Sequence, residues 1–290
     1  MKIDELIQLV KSKSAKSFDV ASDELENAIF SLPRENVIDL VLDIGIIPES
    51  IDHDSSEEKL FTKCSDIFFA RSLSEMGLTV KVLKERSDCA DIVAQSKYHT
   101  YSLVGDAKAF RLSRTAKNAK DFKVDSMYKW KGDSDFSVLA CPYFQYPTKS
   151  SQIYKTALEN NVSLFSWEYL YVAMVNNIRE TSDRSLRNVW DISSQILTST
   201  TGDKLKNCFI NQQNDIYADL IGIEKKEFND EFSNIKEKII ARGGMEIQFY
   251  ENEIKRIKAL SKEAAIRELL ISKKLDSKVA TINKFIESLK

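Results

Sequence analysis

Asp91–Lys123 reads DIVAQSKYHTYSLVGDAKAFRLSRTAKNAKDFK, with two short apolar segments, Ile92 to Ala94 and Leu103 to Val104, separated by polar turn material from Gln95 to Thr100. Apolar runs parted by turn residues mark a β-hairpin. Along a strand, residues i and i+2 share a face. Asp91 at the start of the first strand, and Asp106 and Lys108 near the end of the second, are therefore expected to converge on one sheet edge.

Two carboxylates brought that close repel each other unless a cation lies between them, and such hard oxygen ligands suit Mg²⁺. A lysine beside the cation either orients or deprotonates an attacking water, or offsets charge on a phosphorane-like transition state. An aspartate, a gap and then Asp-x-Lys across a hairpin resembles the PD-(D/E)xK nuclease site, with Ala90 standing where the strict motif has proline. Proline there supplies no ligand. Acidic-x-Lys triplets recur at Glu57, Asp121, Glu224 and Glu253, but only Asp106-Ala107-Lys108 sits on an apolar strand with an acidic partner one hairpin upstream.

Beyond the hairpin, Lys108, Arg111, Arg114, Lys117, Lys120 and Lys123 recur at every third position, interleaved with Ser113, Thr115 and Asn118. Lysine and arginine neutralise phosphates, hydroxyls add backbone contacts, and asparagine pairs with adenine in the major groove. The run is either a phosphate-binding segment or a solvated basic loop.

DAKAFRLSRTAKNAKDFKV, with EEKLFTK near Glu58, FQYPT from Phe144, SQIYK from Ser151 and LFSWE from Leu164, resembles the HindIII-type restriction endonucleases in the same order from about Ile38 to Glu168. The resemblance implies a restriction-endonuclease-like α/β fold and a two-fold symmetric homodimer cutting double-stranded DNA at a palindrome. The resemblance further implies that this palindrome is AAGCTT, cleaved after the first A to leave 5′ overhangs. It also implies one or two Mg²⁺ ions per site, held by Asp91, Asp106 and the Ala107 carbonyl, with Lys108 positioning the water. Asn118 and Lys120 are the expected base-edge contacts, and Arg111, Arg114 and Lys117 the phosphate contacts, with Lys123 closing the DNA-binding run. Glu58 reaches a second ion or simply favours a helix N-terminus; Glu85 is a further acidic candidate; Asp121 contributes to the site or pairs with the basic run.

Two other classes keep some of these residues. A repair or recombination nuclease of the same fold would digest DNA lacking AAGCTT. A non-enzymatic DNA-binding protein would be indifferent to Asp106→Ala.

The 290 residues are 43% hydrophobic and 30% charged, as in a soluble globular protein with a sizeable core. A formal net charge of −2 requires any DNA affinity to come from a local basic face. Four scattered cysteines without a Cys-x-x-Cys pair, and two histidines, argue against zinc and for a reduced, cytoplasmic setting. No segment reaches membrane-spanning length, and neither a Gly-rich phosphate loop nor a G-x-S-x-G elbow is present.

Helical spacing is expected at Ile3 to Val10, from Ser22 to Phe30, and after Pro33. Ser55 to Gly77 is expected as a long helix with a serine start and early glutamates. Further strands are expected at Thr79 to Leu83, Phe136 to Ala140 and Ser163 to Phe165, giving a mixed central sheet flanked by helices on both faces. The aromatics of FQYP and FSWEYL stack on bases or, more commonly, pack the core. The expected organisation is a catalytic core over 1–190 and a helical region over 191–290, with Gly243-Gly244 interrupting its longest helix. That helical region wraps DNA, forms a dimer seam or caps the sheet.

Overall fold

The structure, a computed structural model, describes all residues except 85–87, 115–118, 148–150, 197–204, 274 and 289–290. Five strands form one sheet in sequence order: β1 (Thr79–Val82), β2 (Ile92–Gln95), β3 (Ser102–Ala107), β4 (Phe136–Cys141) and β5 (Val162–Ser166). β1, β2 and β3 run antiparallel, whereas β3, β4 and β5 run parallel. The expected hairpin is β2–β3, in a register that sets Ile92 opposite Gly105. Helices Val124–Trp130 and Ile153–Glu159 occupy the two parallel crossovers, as parallel neighbours require.

Adjacent residues of β3, β4 and β5 divide between two cores. Leu103, Val138 and Phe165 join one cluster, while Val104, Leu139 and Leu164 join the other. The period-two alternation thus buries both faces, and the mixed sheet between helical layers is the expected fold.

Helix Ser56–Glu75 lies against β1, β2 and β3. The Ser55 hydroxyl accepts the Glu58 N–H at its start, and Gly77 takes φ +93° just beyond its end, the left-handed conformation that favours glycine. Gly105 permits the close approach of this helix to the hairpin, since a Cβ there would lie 2.7 Å from Phe69 and 2.8 Å from Ile92. The N-terminal helices are Ile3–Lys13, Phe18–Phe30 and Arg34–Leu40; the second starts before the expected Ser22, where Ser17 is extended and its carbonyl accepts the Ala21 N–H. Phe165, Trp167 and Tyr169 are fully enclosed, so the FSWEYL aromatics pack the core.

Two compact units are present, Met1–Gly243 and Gly244–Lys290. The division expected after residue 190 runs through the first of them, because Tyr217, Phe228 and Ile235 belong to its core. Gly243-Gly244 does not interrupt the helix, which is continuous from Lys225 to Lys258. Each glycine costs a helix about 1 kcal/mol relative to alanine but leaves the backbone ladder intact. No described helix is long and apolar enough to cross a membrane.

Candidate active site

The site is built where β2 begins and β3 ends. Asp91 is stitched to both neighbours: its carbonyl accepts the Leu83 N–H (2.8 Å) and its N–H donates to the Gly105 carbonyl (3.1 Å). Asp106, opposite Leu139 in β3, is 1% exposed, and its Oδ2 accepts from Lys108 Nζ. The Lys108 backbone is fixed twice, its N–H donating to the Ala140 carbonyl (2.8 Å) and its carbonyl accepting the Trp167 indole N–H (3.0 Å). Local alternation places the two charged side chains; the neighbouring parallel strand and the helix after β5 hold them still.

A third carboxylate arrives from the helix Ser56–Glu75. Asp66 is buried and interacts electrostatically with both Asp91 and Asp106. Lys63, one helical turn earlier, places its Nζ 3.9 Å from Asp91 Oδ1 and 3.9 Å from Asp66 Oδ2, and donates to the Leu83 carbonyl (3.1 Å). Neither residue was singled out from the sequence. The available signal was a charged Lys-x-x-Asp pair inside an otherwise apolar helical stretch, KCSDIFF, where an unpaired aspartate would be expensive to bury.

Burial first, and then the adjoining Asp106 carboxyl, push the Asp91 carboxyl up to about 7. Burial, followed by repulsion from Asp91 and Asp106, raises Asp66 well above the ordinary aspartate range. Burial works against the Lys108 ammonium, but Asp106 overrides it and holds this lysine above its ordinary value. Lys108 therefore stays charged near neutrality, which favours positioning and charge stabilisation over proton abstraction.

Carboxylates pressed together in this way call for a cation, and two buried oxygens, Asp66 Oδ1 and Asp106 Oδ1, have no hydrogen-bond partner. Among the described residues, no three His, Cys, Asp or Glu side chains are grouped closely enough to hold an ion by themselves. The donor set therefore fits a hard cation that takes one or two carboxylates, a backbone carbonyl, and otherwise water or phosphate. Asp66, Lys63 and Asp91 line a cleft of about 800 Å³ together with Asp19, Asp23 and Glu26.

The remaining candidates separate. Arg111 is 3% exposed and is not presented as a phosphate contact: its Nε and one Nη donate to Glu58 Oε1 (3.0 and 2.8 Å), and the other Nη to the Pro48 carbonyl (3.0 Å). Its long side chain is drawn inward because two acidic residues, Glu49 and Glu58, await it there. Although burial opposes it, the Arg111 guanidinium and the Asp54 N–H hold the Glu58 carboxyl below its ordinary range. Glu58 is thus engaged as an anchor at the helix start. Asp121 pairs with Arg114 (2.6 Å), whose guanidinium also lies over the Phe110 ring. Lys120 and Lys123 are exposed and line a second cleft of about 310 Å³ with Ser126, Gln152 and Thr156. Glu85, Lys117 and Asn118 lie outside the described residues.

Residues 2–286 match the HindIII restriction endonuclease family. The chain belongs to that family. It is 38% identical over 288 residues to the type II restriction enzyme HindIII of Haemophilus influenzae (strain ATCC 51907 / DSM 11121 / KW20 / Rd), covering 99% of this chain and 96% of the relative. Membership in the HindIII family makes this protein a site-specific restriction endonuclease with a DNA substrate and a general requirement for a divalent metal ion. The paired carboxylates and the lysine at the hairpin edge are the chemistry that such a reaction needs.

Proposed function

We propose that the protein is a Mg²⁺-dependent type II restriction endonuclease that acts as a homodimer, cutting A/AGCTT after the first A to leave 5′ overhangs. The observation that carries this reading is the meeting of Asp91, Asp106 and Lys108 at one hairpin edge in a chain that matches the HindIII family over residues 2–286. A two-fold symmetric target is met by two copies of one chain.

Asp91 and Asp106 would hold the ion, with the Ala107 carbonyl as a further ligand and one or two ions per site. When bound, Mg²⁺ supplies positive charge at the reacting phosphate oxygens and lowers the pKa of a bound water. Lys108, kept charged by Asp106, orients the water for in-line attack and offsets negative charge on the phosphoryl oxygens. The bond from phosphorus to the 3′ oxygen breaks, giving a 5′-phosphate and a 3′-hydroxyl. The Trp167 indole and the Ala140 carbonyl fix the Lys108 backbone that would present this ammonium to the phosphate.

Arg114, Lys117 and Lys123 meet the DNA backbone, while Asn118 and Lys120 read base edges. Glu58 supports this segment by anchoring Arg111, and Asp121 by pairing with Arg114. The cytoplasm is the compartment in which such an enzyme meets incoming DNA.

Asp106→Asn preserves shape while removing one ligand charge. A short AAGCTT duplex in Ca²⁺ should bind this variant within a few-fold of wild type, while cleavage in Mg²⁺ falls by at least about a thousandfold, the scale of losing a central catalytic group. Cleavage by the variant at the wild-type rate would remove Asp106 from this role.

A further inference from the structure

We infer that the C-terminal unit Gly244–Lys290 is a dimerisation arm whose apolar face is covered by the same unit of a second copy. The inference rests on the homodimeric endonuclease reading and assigns the seam that reading requires.

Among the described residues, no apolar side chain of Gly244–Lys290 is buried. A segment without a core does not hold helices by propensity alone. Two of its helices, Lys262–Ser272 and Leu275–Ser288, have only 11 and 14 residues, and isolated helices shorter than roughly 12–15 residues are marginal in water. Ser261 caps one of them and Arg256 bridges to Glu268, but such exposed contacts contribute only tenths of a kcal/mol to about 1 kcal/mol each. These helices therefore need an apolar partner.

The exposed residues are arranged to receive one. On the helix Lys225–Lys258, Ile247 and Ile254 are one heptad apart, as are Tyr250 and Ile257, giving the alternating three- and four-residue spacing of a coiled-coil seam. Leu275, Val279, Ile282 and Ile286 repeat the same spacing on the last helix, and Ile266 and Leu270 stand one turn apart on the helix between them. Ile247 is 62% exposed, Ile254 52%, Leu269 56% and Ile282 58%.

The size of this surface matches a dimer seam. A fully buried aliphatic side chain removes roughly 60–120 Å² of apolar surface from water. With about half of each exposed, the three stripes offer on the order of 500 Å², close to the apolar share of a standard interface of roughly 800 Å² per partner. Aliphatic side chains give phosphate nothing to bind, and the polar positions among them carry both signs of charge, so DNA is the poorer occupant. A heptad stripe, by contrast, is complementary to itself across a two-fold axis.

The test compares full-length wild type with Ile254→Glu/Ile257→Glu and, separately, Ile282→Glu, by sedimentation equilibrium at micromolar concentrations. All three tryptophans, Trp130, Trp167 and Trp190, lie outside the arm, so near-ultraviolet circular dichroism reports whether the first unit remains folded. The expected result is a wild-type dimer and variants whose dimer dissociation constant rises at least a hundredfold with the tryptophan signal unchanged. Such variants should also nick a one-site plasmid rather than linearise it. Variants that remain dimeric with the wild-type constant would overturn the inference, as would a wild type that is monomeric with its arm already protected from hydrogen exchange. Monomerised variants of a wild type that cuts no DNA would leave the arm standing and remove the endonuclease reading instead.

Discussion

Lys63 Nζ stands 3.9 Å from Asp91 Oδ1, and at the same distance from Asp66 Oδ2, so a lysine of the long helix serves as the resident cation between two acidic groups of different elements. Breaking a buried ion pair from one side costs about 3–5 kcal/mol, and these longer, partly solvated contacts place Lys63→Met near 2 kcal/mol. The metal-free variant should melt roughly 4–8 °C below wild type. Added Ca²⁺ should restore more of that difference than it adds to wild type, because it takes over the missing charge. Equal Ca²⁺ shifts in the two proteins, read by differential scanning calorimetry, would mean that Lys63 acts independently of the ion site.

Gly45 is a packing glycine. A Cβ there would lie 2.6 Å from Trp167 Cδ1 and 3.2 Å from Pro142 Cγ, and it is the Trp167 indole that holds the Lys108 carbonyl. Overpacking of this kind costs about 1–3 kcal/mol. Gly45→Ala should therefore lower both the melting temperature and the cleavage rate, the latter by about tenfold as Lys108 loses its backstop. Trp167→Phe should reproduce the rate effect with a smaller loss of stability; single-turnover cleavage at the wild-type rate in both variants would separate the indole from Lys108.

The hairpin and its charged edge were legible because both rest on short-range rules: period-two alternation over Ile92 to Ala94 and Leu103 to Val104, and Asp-x-Lys on one strand face. The parallel strands were legible as apolar runs between helical patterns. What escaped depends on long-range packing. Asp66 reaches the site only because Gly105 lets the helix approach the sheet. Arg111 looked like one more member of a basic series until folding brought Glu58, 53 positions away, to its guanidinium. The Gly243-Gly244 pair signals a break by local propensity, but a 34-residue helix carries it through.

Arg111 and Lys123 should respond in opposite ways. Arg111→Ala removes the buried guanidinium from Glu58 and Glu49, which keep the Asp54 and Ser113 N–H donors, for a loss of about 3 kcal/mol in urea unfolding. Lys123→Ala, at an exposed site, should leave the unfolding midpoint unchanged, weaken DNA binding, and lower the slope of log affinity against log salt by about 1. The reverse pattern would exchange their roles.

Glu168 gives the fold a pH dependence of its own. It is buried, its Oε2 accepts the Tyr143 N–H (2.8 Å), and burial pushes its carboxyl up to about 7. A carboxyl raised in the folded state binds its proton more tightly there, so its stabilising contribution is complete below the unfolded value near 4.5 and is lost as pH rises through about 7. The stability of wild type relative to Glu168→Gln should thus fall by up to about 3 kcal/mol between pH 4.5 and pH 8. Parallel pH profiles for the two proteins in urea denaturation would show that Glu168 does not titrate in this window.

The decisive measurement is incubation of the purified protein with Mg²⁺ and a plasmid bearing one AAGCTT site, beside the same plasmid altered at one base of that site. Only the intact plasmid should be linearised, with 5′ overhangs of AGCT and no cleavage once EDTA is added. Cutting of both plasmids would contradict the assigned target, and cutting of neither would contradict the catalytic assignment of Asp91, Asp106 and Lys108.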